Sequence, residues 1–356
     1  MQINKGMDMS EKKHQEMKKE NGGTSAGSIA ILGAGTWGTA LARLFAKRGM
    51  DVTVWSVSAS EVEEYSCTRR HPKLPGMRIP EKISFTTEIN CASGRDYVMF
   101  AVPSVYIRAT AEKAAPFLAA SQVVMSVAKG IEAGTLLSMT EILGEVLPNN
   151  RIVALSGPTH AEEVALDMPT TIVSACEDGA TAEAVRRLFD GSCIRAYVNA
   201  DVRGVELSGA LKNVIALAAG ISVGAGFGDN TKAAIITRGL AEIRRLGVAM
   251  GCREETFSGL AGVGDLVVTA TSMHSRNNKC GMLIGQGVPA AEAVKQVGMV
   301  VEGLNALEPA LALSEKYAVE MPVARAVKAV VDGCDAKEVA AALLAKPSST
   351  GDFADR

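Results

Sequence analysis

The strongest constraint on this chain is a glycine pattern in a particular setting. Ser28–Leu32 (SIAIL) is a short apolar run that leads straight into Gly33-Ala34-Gly35-Thr36-Trp37-Gly38. TALARLFAKRG follows, with Leu41, Leu44 and Phe45 at helical spacing and Gly49 as a stop; Asp51–Trp55 (DVTVW) then reads as a second strand. Strand, G-x-G-x-x-G, helix and strand within about 30 residues predict a dinucleotide site rather than a glycine-rich βα turn without a ligand. Gly33 permits the tight turn, Gly35 lets the main chain approach a pyrophosphate, and Gly38 lets the helix pack closely on the strand. The helix starting near Thr36 aims its free N–H groups and positive dipole end at the phosphates.

Cofactor choice stays open between NAD and NADP. An NAD site normally places Asp or Glu about 20 residues on, against the ribose 2′-hydroxyl, whereas an Arg nearby accommodates a 2′-phosphate. Here Trp55-Ser56-Val57-Ser58-Ala59-Ser60 offers no acid until Glu61, and no Arg stands close by.

Further strand-like runs are YVMFAV (97–102), VVMSV (123–127), IVAL (152–155), TTIVSA (170–175) and IRAYV (194–198). The first three lead into Val102-Pro103-Ser104, Ala128-Lys129-Gly130 and Ser156-Gly157-Pro158-Thr159. Ligands of an open parallel sheet sit at the carboxyl ends of its strands, so these loops and the glycine loop converge on one edge. Ordinary turn chemistry explains VPS or SGPT taken singly. Lys129 stands out because it follows a buried strand.

Length and charge bound the rest. At roughly 100–200 residues per domain, 356 residues suggest two domains. A 47% hydrophobic fraction excludes a wholly disordered chain, and a net charge of −2 argues against a nucleic-acid partner. Cys67, Cys91, Cys176, Cys193, Cys252, Cys280 and Cys334 are scattered without a C-x-x-C pair, as expected of reduced cytosolic thiols. His14, His71, His160 and His274 show no metal-ligand spacing, so no metal is expected. Residues 1–27 are polar and charged, read as a disordered tail with no signal peptide, and 347–356 as a second short tail. Val205–Phe227, the longest apolar stretch, contains Glu206 and Lys212 and is not expected to span a membrane.

The fold class follows as an α/β Rossmann domain over 28–199, with a doubly wound, mostly parallel sheet, and an all-α domain over 200–346. In the second, GVELSGALKNVIALAAGI has the pattern of a helix apolar on every side and hence buried. Lys212 sits in its middle, where an unpaired ammonium costs several kcal/mol, so it is paired or neutralised. A structural ion pair with Glu206 or another partner is one reading; a catalytic amine lining a cleft is the sharper one. SGLAGVGDLVVTATSMHSRNN (258–278) predicts a helix from near Gly264–Asp265, with Asp265, Thr269, Ser272 and Arg276 along one face. That stripe reads as solvent-facing or as ligand-lining, in which case Asp265 pairs with Lys212, and Arg276 with Asn277 takes a phosphate by fork geometry. His160 is a lesser candidate for a second proton shuttle; His71 and His274 read as loop or surface residues.

The segments GAGTWGTALA, VPS, KGIE, SGPTHAEEVA, GVELSGALKNVIALAAGI, GFGDNTKAAIITRGLAEIRRLG, GLAGVGDLVVTATSMHSRNN, and VVEG before EMP resemble the NAD(P)-dependent glycerol-3-phosphate dehydrogenases, bacterial type, over about 29–345. The resemblance implies NAD(P)H-dependent interconversion of dihydroxyacetone phosphate and sn-glycerol 3-phosphate, the backbone of membrane phospholipids. It also implies a cytoplasmic homodimer whose helical domain is 6-phosphogluconate-dehydrogenase-like. Lys212 matches the proton-transferring lysine, with Lys129 and Asp265 as catalytic neighbours. Substrate contacts fall on Lys129, Gly157, Thr159, Lys212, Asn213, Asp265, Thr269, Ser275, Arg276 and Asn277. Cofactor contacts fall on Gly33, Gly35, Thr36, Trp37, Gly38, Val57, Lys129, Ala161, Arg276, Val300 and Glu302. Val57 stands where many members carry a basic residue or His, His160 replaces the usual aromatic, and the loop before LPG reads HPK. A β-hydroxyacid dehydrogenase of the 6-phosphogluconate type and a non-catalytic NAD-sensing regulator are the alternatives.

Overall fold

The computed structural model describes residues 27–345. Both expected tails lie outside these residues, apart from Gly27. The first half is an eight-stranded sheet in the order β3-β2-β1-β4-β5-β6-β7-β8. Its strands are β1 (Ser28–Leu32), β2 (Asp51–Trp55), β3 (Ser84–Thr86), β4 (Tyr97–Phe100), β5 (Val123–Ser126), β6 (Arg151–Ser156), β7 (Thr170–Ala175) and β8 (Ile194–Asn199). All neighbours are parallel except β6 and β7. β1 lies inside the sheet with helices on both faces, so Ile29–Leu32 are all at 0% exposure; parallel strands read as unbroken apolar runs for this reason. β3 has no counterpart among the expected strands. Three residues long, at the sheet edge and never fully buried, it carries no apolar run.

From Val202 onward the described chain is helical. Its axis is the helix Val202–Gly224, buried on every side from Gly204 to Ser222. It is long and apolar enough to cross a membrane, yet 89% of its most apolar stretch is buried inside the protein, as in a core helix. Around it pack Asp229–Ala249, Asp265–Thr271, Arg276–Gly285 and Glu302–Lys316.

Glycines let this helix approach its neighbour Arg276–Gly285 at main-chain distance. A Cβ at Gly220 would lie 2.1 Å from the Asn278 carbonyl oxygen, and one at Gly224 2.0 Å from that of Met282. In return, a Cβ at Gly281 would lie 2.2 Å from the Leu217 oxygen, and one at Gly285 2.1 Å from that of Ile221. Small residues four apart on each helix thus interlock. On its other flank the long helix meets the carboxyl edge of the sheet: a Cβ at Gly209 would fall 2.9 Å from Ser156 Oγ and 3.5 Å from Lys129 Cγ.

Gly281→Ala should lower stability by about 1–3 kcal/mol, as overpacking does, read as a fall in the denaturant midpoint. An unchanged midpoint would contradict so close a crossing.

Candidate active site

The glycine loop fits a pyrophosphate. Gly33 has φ 129°, and a Cβ there would press to 2.6 Å from the Ala101 carbonyl. Gly38 could carry no side chain either, since its Cβ would meet the Gly33 oxygen at 2.2 Å. Gly35 is exposed and opens onto space with nothing within 4 Å. The helix Thr36–Lys47 starts there without a side-chain cap and without an acid in its first turn, leaving its N–H groups for an anion. Trp37 packs partly against the core, Ala161 is buried, and Val57 is 78% exposed just beyond β2. Val300 is half-buried. Glu302 is already engaged within the protein: Ser104 donates its N–H to Oε1 at 3.0 Å and its hydroxyl to Oε2. The carboxylate thereby ties the VPS loop to the helical domain.

Facing that loop edge, one carboxylate holds two lysines. Asp265 Oδ1 accepts from Lys212 Nζ and Oδ2 from Lys129 Nζ, each at 2.6 Å. Lys129 also donates to the Gly157 carbonyl at 3.0 Å, and Lys212 to Thr269 Oγ1 at 2.6 Å. Thr269 gives its own proton to the Asp265 main-chain oxygen at 2.7 Å, which leaves its hydroxyl lone pair for the lysine. Lys212 is 6% exposed and Asp265 1%. Burial pulls the Lys212 amine down to about 7; Asp265 opposes this and the Lys129 charge adds to it. The alternative pairing with Glu206 does not occur. Glu206 is buried elsewhere, accepting from Ser138 Oγ at 2.6 Å and the Thr140 N–H at 2.9 Å, and burial raises its pKa.

The expected polar stripe is interrupted. Asp265 opens the helix Asp265–Thr271 after a π-helical turn at Leu260–Gly264, but that helix stops at Thr271. Ser275 then caps a new helix by accepting from the Asn278 N–H at 3.2 Å. Asp265 and Thr269 share a face as predicted, whereas Ser272 and Arg276 lie beyond the break. Arg276 is exposed, while Ser275 and Asn277 are buried. Asn277 donates to Asn213 Oδ1 at 2.9 Å and accepts from the Gly303 N–H at 2.8 Å, joining three helices beside Lys212. Gly157 takes φ 143°, and the Thr159 hydroxyl donates to its carbonyl at 3.2 Å.

His160 Nε2 stands 3.4 Å from the Val268 carbonyl oxygen, and burial lowers its pKa. His71 lies in a loop, one of the two readings given for it, but it is buried there rather than on the surface. It is 4% exposed, its ring lies 5.0 Å from that of Tyr65, and its Nδ1 accepts from the Lys73 N–H at 3.1 Å. Two buried hydroxyls have no partner among the described residues: that of Ser156, which opens the SGPT loop, and that of Ser208, which sequence reasoning passes over. A serine ending a strand or inside a helix carries no local signal of this. Among the described residues, no three His, Cys, Asp or Glu side chains gather as a metal site would need.

Comparison with known proteins agrees with this architecture. Residues 28–182 match the family described as NAD-dependent glycerol-3-phosphate dehydrogenase N-terminus, and residues 201–342 the corresponding C-terminus. A Lactobacillus delbrueckii subsp. bulgaricus NAD(P)+ glycerol-3-phosphate dehydrogenase is 56% identical over 324 residues, 89% of this chain and 96% of the relative. Its Agathobacter rectalis counterpart is 48% identical, covering 89% of this chain and 95% of that protein. The crystal structure of the Coxiella burnetii enzyme superposes with a TM-score of 0.86 at 35% identity, covering 90% of this chain and 99% of that one. Neither the hydroxyacid nor the regulator alternative gains support from these likenesses. Both halves of the chain and more than nine-tenths of the length of these relatives lead to one statement: this protein belongs to the bacterial-type NAD(P)-dependent glycerol-3-phosphate dehydrogenases and reduces dihydroxyacetone phosphate to glycerol 3-phosphate with NAD(P)H.

Proposed function

We propose that this reduction turns on Lys212 as the proton donor to the ketone oxygen at carbon 2, and on the same amine as the base in the reverse direction. The chemistry that a bound NAD(P)H supplies is hydride transfer to that carbon. Proton and hydride together convert the carbonyl to the secondary alcohol. The observation that carries the reading is a 6% exposed amine, 2.6 Å from both Asp265 and Thr269; burial of this kind pulls its pKa down to about 7. A general acid is most effective when its pKa lies near the working pH.

Asp265 orients both lysines; burial lets Lys212 release its proton readily, against the pull of Asp265 and helped by the Lys129 charge. Lys129, held by Gly157, supplies the second charge and a donor for the substrate. Arg276 with Ser275 and Asn277 takes the phosphate, and Thr159, Asn213 and Thr269 complete the substrate contacts. Gly33, Gly35, Thr36, Trp37 and Gly38 hold the pyrophosphate end of the cofactor, with Val57, Ala161 and Val300 along its length. Glu302 acts through Ser104, whose loop it anchors. The family likeness supports a cytoplasmic homodimer feeding glycerophospholipid synthesis.

Lys212→Ala should retain dinucleotide binding but lose roughly 10²-fold or more in kcat; near-normal turnover rejects the role. Protonated Lys212 is the acid for reduction and neutral Lys212 the base for oxidation. Reduction should therefore weaken, and oxidation strengthen, as pH rises through about 7; parallel profiles in the two directions would contradict this. Arg276→Ala should raise KM for dihydroxyacetone phosphate about tenfold or more, the value of a charged hydrogen bond. An unchanged KM removes Arg276 from the phosphate site.

A further inference from the structure

We propose that Glu61 sets the choice between the two dinucleotides and favours NADH over NADPH. The discriminating position in a dinucleotide-binding βαβ unit is the end of its second strand, where an acid holds the ribose 2′-hydroxyl or an arginine takes the 2′-phosphate. Along the chain neither residue type stands at that position, since Trp55 leads into Ser56-Val57-Ser58. In space it is filled. Ser56 Oγ donates to Glu61 Oε2 at 2.6 Å, and the Ser58 N–H donates to Ser56 Oγ at 3.2 Å. Ser58 Oγ in turn accepts from the Glu61 N–H at 3.2 Å, capping the helix Ala59–Thr68. A turn of serines thus folds the Glu61 carboxylate back onto the tip of β2. Its Oε1 has no hydrogen-bond partner among the described residues and is free to accept from a ribose hydroxyl.

The surroundings oppose a 2′-phosphate. Residues 53–68 and 83–94, which take in most of β2, all of β3 and the segment after each strand, contain no Lys or Arg. Glu88 adds a second acid just past β3. Arg69 is held by Glu81 at 3.2 Å and by the Ile83 carbonyl at 2.8 Å, and Arg95 binds Asp51 at the opposite end of β2. Val57, in the position of the usual base, offers an exposed apolar side chain. The helix terminus itself would attract an anion, but Ser58 already occupies its Glu61 N–H and Glu61 brings a like charge into the first turn. A phosphate monoester would meet a carboxylate there, and residues 53–68 and 83–94 bring no Lys or Arg to offset it.

The inference rests on the cofactor lying over Gly33–Gly38, and its test separates the two. Calorimetric titration with NADH and with NADPH gives each Kd without turnover. The wild-type protein should bind NADH about tenfold or more tightly than NADPH, the scale of one charge-assisted hydrogen bond. Glu61→Gln should weaken NADH and strengthen NADPH, bringing the ratio to within about threefold, and Val57→Arg should shift it further toward NADPH. NADPH bound by the wild type as tightly as NADH overturns the proposal, as does a Glu61→Gln protein that weakens both equally. A wild-type protein that binds neither overturns the glycine-loop reading and this proposal with it.

Discussion

One buried carboxylate with a lysine on each oxygen governs this molecule's chemistry. Asp265 lies at 1% exposure, so its charge is unscreened, and it holds Lys129 and Lys212 together between sheet edge and helical domain. Breaking a buried pair by removing one member leaves an uncompensated charge, so neither half of the protein can move far from the other without cost. Burial is what brings the Lys212 pKa down to about 7; Asp265 opposes that shift and the Lys129 charge adds to it.

Main-chain proximity makes that arrangement possible. The glycine interlock draws the helix Arg276–Gly285 against Val202–Gly224 until Asn277 reaches Asn213 and the Gly303 N–H. Lys212 is the next residue to Asn213, so its position is braced by a hydrogen-bond chain rather than by apolar packing alone. Ser104 and Glu302 tie the VPS loop to the start of the helix Glu302–Lys316. Gly130 belongs to this design: a Cβ there would fall 2.3 Å from the Ser104 Cβ, so the AKG and VPS loops can lie side by side only with glycine between them.

Much of this is legible in the residues because the signals are local. The β1 run, the glycine triplet and the Thr36 helix are contiguous, and buried parallel strands advertise themselves by unbroken apolar runs. Lys212 is conspicuous because an ammonium in an all-apolar helix has to be explained. The features that escape are set by distant partners. β3 is stabilised by β2 rather than by its own composition, and β7 runs antiparallel to β6 for reasons its apolar sequence does not encode. The spacing of Gly220 with Gly224 and of Gly281 with Gly285 is visible but ambiguous, since glycine inside a helix also signals mere weakness. Helical periodicity runs Asp265 through Arg276 as one face and misses the stop at Thr271, because no proline or glycine punctuates it. Glu61 reads along the chain only as the first acid after the strand; its return to Ser56 needs the turn itself.

The most direct measurement is the titration of the Lys212 amine in the intact protein, followed by NMR of lysine labelled with carbon-13 at Cε and assigned by the signal missing in Lys212→Arg. One lysine resonance, the one absent from Lys212→Arg, should titrate near pH 7. A Lys212 signal that titrates with the other lysines would contradict this.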